Sequence, residues 1–254
     1  TPRSALLEHE QPVHQLVFHR DGTLLATAAS AEAGAGSARV WRTEDGAPAG
    51  PMIQQAAGIT RVAFHPDGSR LLTASRDGSV RLWQIDSGQQ LGEPMLHDKP
   101  VLDIAFNRTG SQLITAAGTQ VRIWTTESGQ PATANITLPA EARFCRFSAR
   151  GSHVLVATRN GYFYRVEPDE AAIGPPWRVG NTSYQMSVFD VDRHELRTLA
   201  AGEEGVVRLS KRVRSSLPEG WAFRNAISDG SFSSDGQIAL LSSYSGRVGL
   251  FSTS

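Results

Sequence analysis

The residues from Ile59 to Trp83, ITRVAFHPDGSRLLTASRDGSVRLW, admit few folds. Apolar positions Ile59, Val62 and Phe64 lead to a turn at Asp67-Gly68. Leu71, Leu72 and Ala74 then lead to a second turn at Asp77-Gly78, and Val80, Leu82 and Trp83 follow. Asp-Gly between two β-rich runs is a strong hairpin signal, because Gly and Asp reach positive φ at little cost. The spacing predicts three short antiparallel strands in 25 residues.

The rest of the chain repeats this stretch. The Phe64 slot recurs at Phe18, Phe106, Phe147, Val191 and Phe232. From Trp41 the third-strand slot recurs at Trp83, Trp124, Val166, Ser210 and Phe251, in steps of 42, 41, 42, 44 and 41 residues. ARVW, SVRLW, QVRIW, YFYRV, VVRLS and RVGLF fill that slot, and the fifth unit, with His194-Glu195 at its first turn, is degenerate. A fourth, less regular strand is expected between units, clearest in QQLGEPML and QPATANITL. Helical periodicity is absent, and 24 Gly and 13 Pro punctuate the chain at short intervals. The fold class predicted is all-β, six units of about four strands. One such unit exposes its faces and edges, and stacking units in a ring buries them.

Composition narrows the function. Lys+Arg and Asp+Glu both count 25 in 254 residues, so no global field favours nucleic acid or an anionic membrane. The single cysteine, Cys145 in FCRF, reads as a small core residue and fits a reducing, cytoplasmic setting. No run is long and apolar enough for a membrane helix, and no signal-peptide core stands at the start. The absence of an initiator Met suggests a piece of something longer. His9, His14 and His19 lie close together, but a spacing of five puts successive ones on opposite faces of a strand, so neither a metal nor a cofactor is expected. No nucleophile elbow, phosphate loop or zincin helix motif is present, and no catalytic residue is assigned. The loop SAEAGAGS, Ser30 to Ser37, lengthens the second turn of the first unit.

The second unit resembles a WD repeat, the sheet unit of β-propellers, with Ser75, Asp77 and Trp83 at that pattern's offsets and Gln55 in its His slot. The first and third units carry His9 and His97 before Trp41 and Trp124 but lack the turn Asp. The resemblance implies that His9, Trp41, Ser75, Asp77, Trp83, His97 and Trp124 fasten the blades. It implies one domain over residues 1–254: a closed ring of six four-stranded blades, or a seven-bladed ring lacking one blade. In such rings an N-terminal strand, here Ala5 to Glu10, completes the last blade beside Val248 to Phe251.

It also implies where partners bind. Contact positions lie six and four residues before the Phe64-type residue and just before the Asp77-type residue. The second of these sets is His14, Thr60, Leu102, Arg143, Ser187 and Ser228. The partner-binding candidates are Arg76, Arg143, Arg159, Tyr244, His14, Leu102 and Glu203, and the three arginines suit an acidic or phosphorylated peptide. The function implied is a non-catalytic interaction scaffold or sensor module. The phrasing resembles propellers of bacterial multidomain proteins that follow a kinase or nucleotide-binding signalling domain. The alternative is a small-ligand or enzymatic propeller using a central channel.

Overall fold

The computed structural model of the chain describes residues 7–31, 34–148, 151–168, 172–178, 186–191, 197–202, 206–211, 221–222, 227–232, 238–243 and 248–252. All of its regular elements are strands, and no helix occurs among the described residues, so none there could cross a membrane. The chain divides into two compact units, Thr1–Thr137 and Leu138–Ser254.

The first unit holds three antiparallel sheets, each formed by four consecutive strands. They are β1(Val13–Phe18), β2(Leu24–Ser30), β3(Gly36–Arg42) and β4(Ile53–Gln55); then β5(Ile59–Phe64), β6(Arg70–Ser75), β7(Ser79–Gln84) and β8(Gln90–Leu96); then β9(Val101–Phe106), β10(Gln112–Ala117), β11(Gln120–Thr125) and β12(Ile136–Thr137). The second unit holds β13(Ala142–Phe147), β14(Val154–Thr158), β15(Tyr162–Glu167), β16(Ala172–Ile173) and β17(Trp177–Arg178) in one sheet, where β16 and β17 both pair with β15, toward opposite ends. Next come β18(Met186–Val191), β19(Arg197–Gly202), β20(Val206–Lys211) and β21(Trp221–Ala222), then β22(Ile227–Phe232), β23(Ile238–Ser243) and β24(Val248–Ser252).

In the first unit the second strands are buried from Ala26, Leu71 and Leu113 to their last residues. In β6, Leu71 packs with Ala26, Ala28, Val40 and Val62, whereas its neighbour Leu72 packs with Val101, Ile104 and Leu113. Successive residues of a strand point to opposite faces, so a strand covered on both faces reads as an unbroken apolar run. That is why LLTAS and LITAA lack the alternation of a half-exposed strand. Cys145 is likewise fully buried, on β13.

Two details differ from the sequence reading. The long turn of the first unit is shorter than SAEAGAGS suggests, because the ladder continues through Ala29–Ser37 to Ser30–Gly36. Leu7 to Gln11 belong to no strand, and Ala5 and Leu6 lie outside the described residues; the described part of the last sheet has three strands. The outer strands are broken by proline: Pro48 bridges Trp41 and Pro131 bridges Trp124, each ahead of the short strand that follows.

Candidate functional site

The third-strand tryptophans are held by threonines. The indole Nε1 of Trp41 donates to Thr27 Oγ1 at 2.9 Å, Trp83 to Thr73 at 2.8 Å and Trp124 to Thr115 at 2.9 Å. Each hydroxyl faces the carbonyl of the third-strand arginine, Arg39, Arg81 or Arg122, at 3.3 to 3.5 Å. A hydroxyl has one further acceptor site, and the residue before the first strand fills it. Gln55 Nε2 donates to Thr73 Oγ1 at 3.0 Å, and His97 Nε2 lies 2.7 Å from Thr115 Oγ1. His9 does not reach Thr27. It meets Trp41 edge-on at 5.5 Å, and its Nε2 is sealed from solvent without a partner.

Ser75 and Asp77 do different work. Ser75 Oγ donates to the Gly58 carbonyl and accepts from the Asp77 N–H at 3.4 Å; Asp77 accepts from the N–H and hydroxyl of Ser79 at 2.9 and 2.5 Å. These bonds hold the carboxyl of Asp77 below its ordinary range against the opposing cost of its partial burial. They shape the turn and leave the indole to Thr73. The signal for this hub was present in the sequence as Thr-Ala at residues 27–28, 73–74 and 115–116.

A second fastening lies at the opposite turn, where the sequence reads FHRDG and FHPDG. His19 meets Phe64 of the next sheet edge-on at 5.4 Å, and His65 meets Phe106 at 4.9 Å. His65 Nε2 also lies 3.1 Å from the Gly110 carbonyl, while its Nδ1 sits 2.9 Å from Asp67. Arg70 ties Asp67, at 2.8 Å, to Glu127 of the third sheet, at 3.0 Å. The equivalent His19 sits 2.9 Å from Asp21. These histidines are structural, and no group of three metal-ligating side chains occurs among the described residues.

The predicted contact positions share a backbone peculiarity. In β1 the ladder passes from Val13 to Gln15, skipping His14; in β5 it skips Thr60; in β9, Leu102. In the second unit it skips Arg143, Ser187 and Ser228. Each is the extra residue of a β-bulge, left out of the ladder. In the first unit, Thr60 Oγ1 spends its proton on the Val101 carbonyl at 2.5 Å, Leu102 is half-buried and His14 is exposed. The His14 imidazole is held below its ordinary value, first by desolvation and then by the Arg61 and Arg76 charges, against a bond to Ile59. Arg76 reaches toward the Ala31 carbonyl at 3.4 Å across the seam of the first two sheets. In the second unit, Arg143 is half-buried and exposed Arg159 pairs with Glu141 at 3.3 Å. Glu203 and Tyr244 lie outside the described residues.

Repeated antiparallel sheets, most of them four-stranded, pinned in the first three by an indole–hydroxyl pair and each with a bulge in its first strand, define an all-β repeat protein of the blade-forming class. Residues 1–42, 52–84 and 88–125 match the WD domain, G-beta repeat, and this part of the chain belongs to the WD-repeat family. WD40 repeats commonly mediate protein–protein interaction. No curated protein matches the chain.

Proposed function

We propose that the chain is one six-bladed ring, closed non-covalently, that acts as a non-catalytic scaffold or sensor arm of a longer cytoplasmic signalling protein. It recognises an acidic or phosphorylated peptide with its loop ends. The observation that carries the binding reading is the bulge recurring in all six sheets at the residue four before the Phe64 slot. A bulge interrupts the ladder, and its repetition at one register costs pairing six times over, which favours a role for the residues at that position. The arginines near these bulges supply planar donors suited to carboxylate or phosphate.

Closure is supported by a mismatch of exposure. Leu16 is 62% exposed and Phe18 65%, whereas Val62 and Ile104, in the slot of Leu16, are 2% and 4% exposed. Leu240 and Val248 of the last sheet are exposed as well, at 42% and 69%. Burying both sets removes two apolar faces from water.

The experiment is a peptide-array binding assay with the wild-type chain and an Arg76→Glu/Arg143→Glu/Arg159→Glu variant. Selective binding of acidic or phosphorylated peptides that the variant loses supports the reading. Binding left intact by the triple reversal removes it.

A further inference from the structure

A cavity of about 240 Å³ opens on the first sheet, between the segment before β1 and the strands β3 and β4. Its walls include Glu8, Glu10, Gln11, Arg39, Met52 and Gln54. Arg39 stands two residues before Trp41, the slot of Arg81 and Arg122. Arg81 donates to Ser79 and faces Asp77 at 3.8 Å. Arg122 donates from Nη1 to the Leu96 carbonyl at 2.7 Å and from Nη2 to Gln120 at 3.0 Å. Among the described residues the Arg39 side chain has no hydrogen-bond or ion-pair partner. Its guanidinium carbon lies 4.8 Å from the Trp41 ring centroid; its Nε, like that of Arg122, is sealed from solvent without a partner, so the difference between the two arginines lies in their Nη groups. Gln11 Oε1 is likewise sealed from solvent without a partner.

The third sheet shows what satisfies an arginine in this slot. Leu96 ends β8, so the partner of Arg122 is the main-chain carbonyl of an extended segment laid against the sheet. Arg39 has the same donors and an open cavity in front of them. Three further wall residues select the side chain such a segment would carry. Glu8 and Glu10 are exposed carboxylates without an ion pair, and 38%-exposed Met52 offers an apolar surface to an aliphatic stem. We propose that this cavity is a peptide site that takes an extended backbone bearing a lysine or arginine. Arg39 donates to the peptide carbonyl through its Nη groups, and Glu8 and Glu10 face the cationic head. The volume suits one long side chain and its peptide unit rather than a larger ligand. The site is separate from the loop ends near the bulges, and its partner has the opposite charge.

Calorimetric titration of the whole chain with two blocked heptapeptides tests this, one with a central lysine and one with a central glutamate in the same Thr/Val/Ser sequence. The lysine peptide binds and the glutamate peptide binds more weakly. Glu8→Gln/Glu10→Gln lowers affinity for the lysine peptide about tenfold, two exposed ion pairs' worth, and abolishes the preference. Arg39→Gln weakens both peptides alike, since it removes a main-chain contact, while Arg76→Glu/Arg143→Glu/Arg159→Glu leaves both unchanged. Absence of binding at millimolar peptide, a preference for glutamate, or affinity untouched by both cavity variants overturns the proposal. So does a self-association of the chain that abolishes peptide binding as it forms.

Discussion

Trp83 and Thr73, ten residues apart, meet on adjacent strands of the second sheet, the indole nitrogen 2.8 Å from the hydroxyl oxygen. The Gln55 amide donates to the same oxygen, so one fully buried hydroxyl accepts two hydrogen bonds. Removing it strands two donors. Thr73→Val should therefore destabilise the protein by about 2 to 4 kcal/mol, while Thr73→Ser recovers most of the loss. Chemical denaturation midpoints at constant slope measure both. A Thr73→Val midpoint equal to wild type would show that the hub carries no stability.

The fourth sheet shows the complementary case. Leu138, Val156 and Val166 stand where the second repeat has Gln55, Thr73 and Trp83, and all three are buried. Replacing every partner of a polar network with apolar groups is close to neutral, whereas replacing one is costly. The prediction is that Val156→Thr alone destabilises by about 1 to 3 kcal/mol, since it buries a hydroxyl whose third-strand neighbour offers no indole. Thermal unfolding of this single variant checks it.

His97 gives the fold a dependence on pH. Burial, and then the nearby Arg122 charge, push its pKa down to about 4 from 6.5. The native state thus binds a proton less readily than the unfolded chain. Stability is full above pH 6.5, falls as pH drops toward 4, and loses nothing further through this group below that. The whole loss is about 3 kcal/mol. Gln55 fills the same slot in the second repeat. His97→Gln should therefore match wild type at pH 7.5 and flatten the stability profile between pH 6.5 and 4. Urea unfolding at half-unit pH steps tests it; an unchanged slope in the variant assigns the loss to other groups.

These elements also show how far the chain can be read without coordinates. The repeat, its strands and both turns were legible, because Asp-Gly turns and apolar slots are local signals. The hub threonine showed only as a recurring Thr-Ala pair, with nothing to tie it to the indole. Thr73 and Ser75 both lie in β6, two residues apart, and only the register, Leu71 opposite Trp83, puts Thr73 within reach of the indole. The bulges were invisible as bulges, since an extra residue in a ladder leaves no mark in composition; only the positions were reached, through family likeness. The Arg39 cavity was missed altogether. Its arginine looks the same in the sequence as Arg81 and Arg122, and what differs is the missing partner.

Gly110 joins backbone to packing. Its φ is +78°, in the left-handed region, and a Cβ there would meet the His65 imidazole. Gly110→Ala combines a backbone penalty of about 1 kcal/mol with a steric conflict. Only the second depends on His65. In a double-mutant cycle, His65→Ala should absorb the steric part, so that Gly110→Ala costs about 1 kcal/mol in that background and clearly more in wild type. Additive costs would place the strain in the turn alone.

Ring closure makes a last, comparative prediction. Leu16 and Val62 hold the same slot on β1 and β5, yet one is exposed and the other buried. If the faces of the first and last sheets close over Leu16, its replacement by serine removes as much buried apolar area as Val62→Ser and adds an equally stranded hydroxyl. The two variants should then lose comparable stability, and Leu240→Ser on the last sheet should fall with them and couple to Leu16→Ser in a double-mutant cycle. An open first face predicts the opposite ordering: Leu16→Ser leaves the denaturation midpoint almost unchanged, because a surface substitution rarely moves stability by more than about 0.5 kcal/mol, while Val62→Ser still costs several times that. Guanidinium titrations of the three single variants and the Leu16/Leu240 pair decide between them, since only closure makes residues on the first and last sheets energetic neighbours.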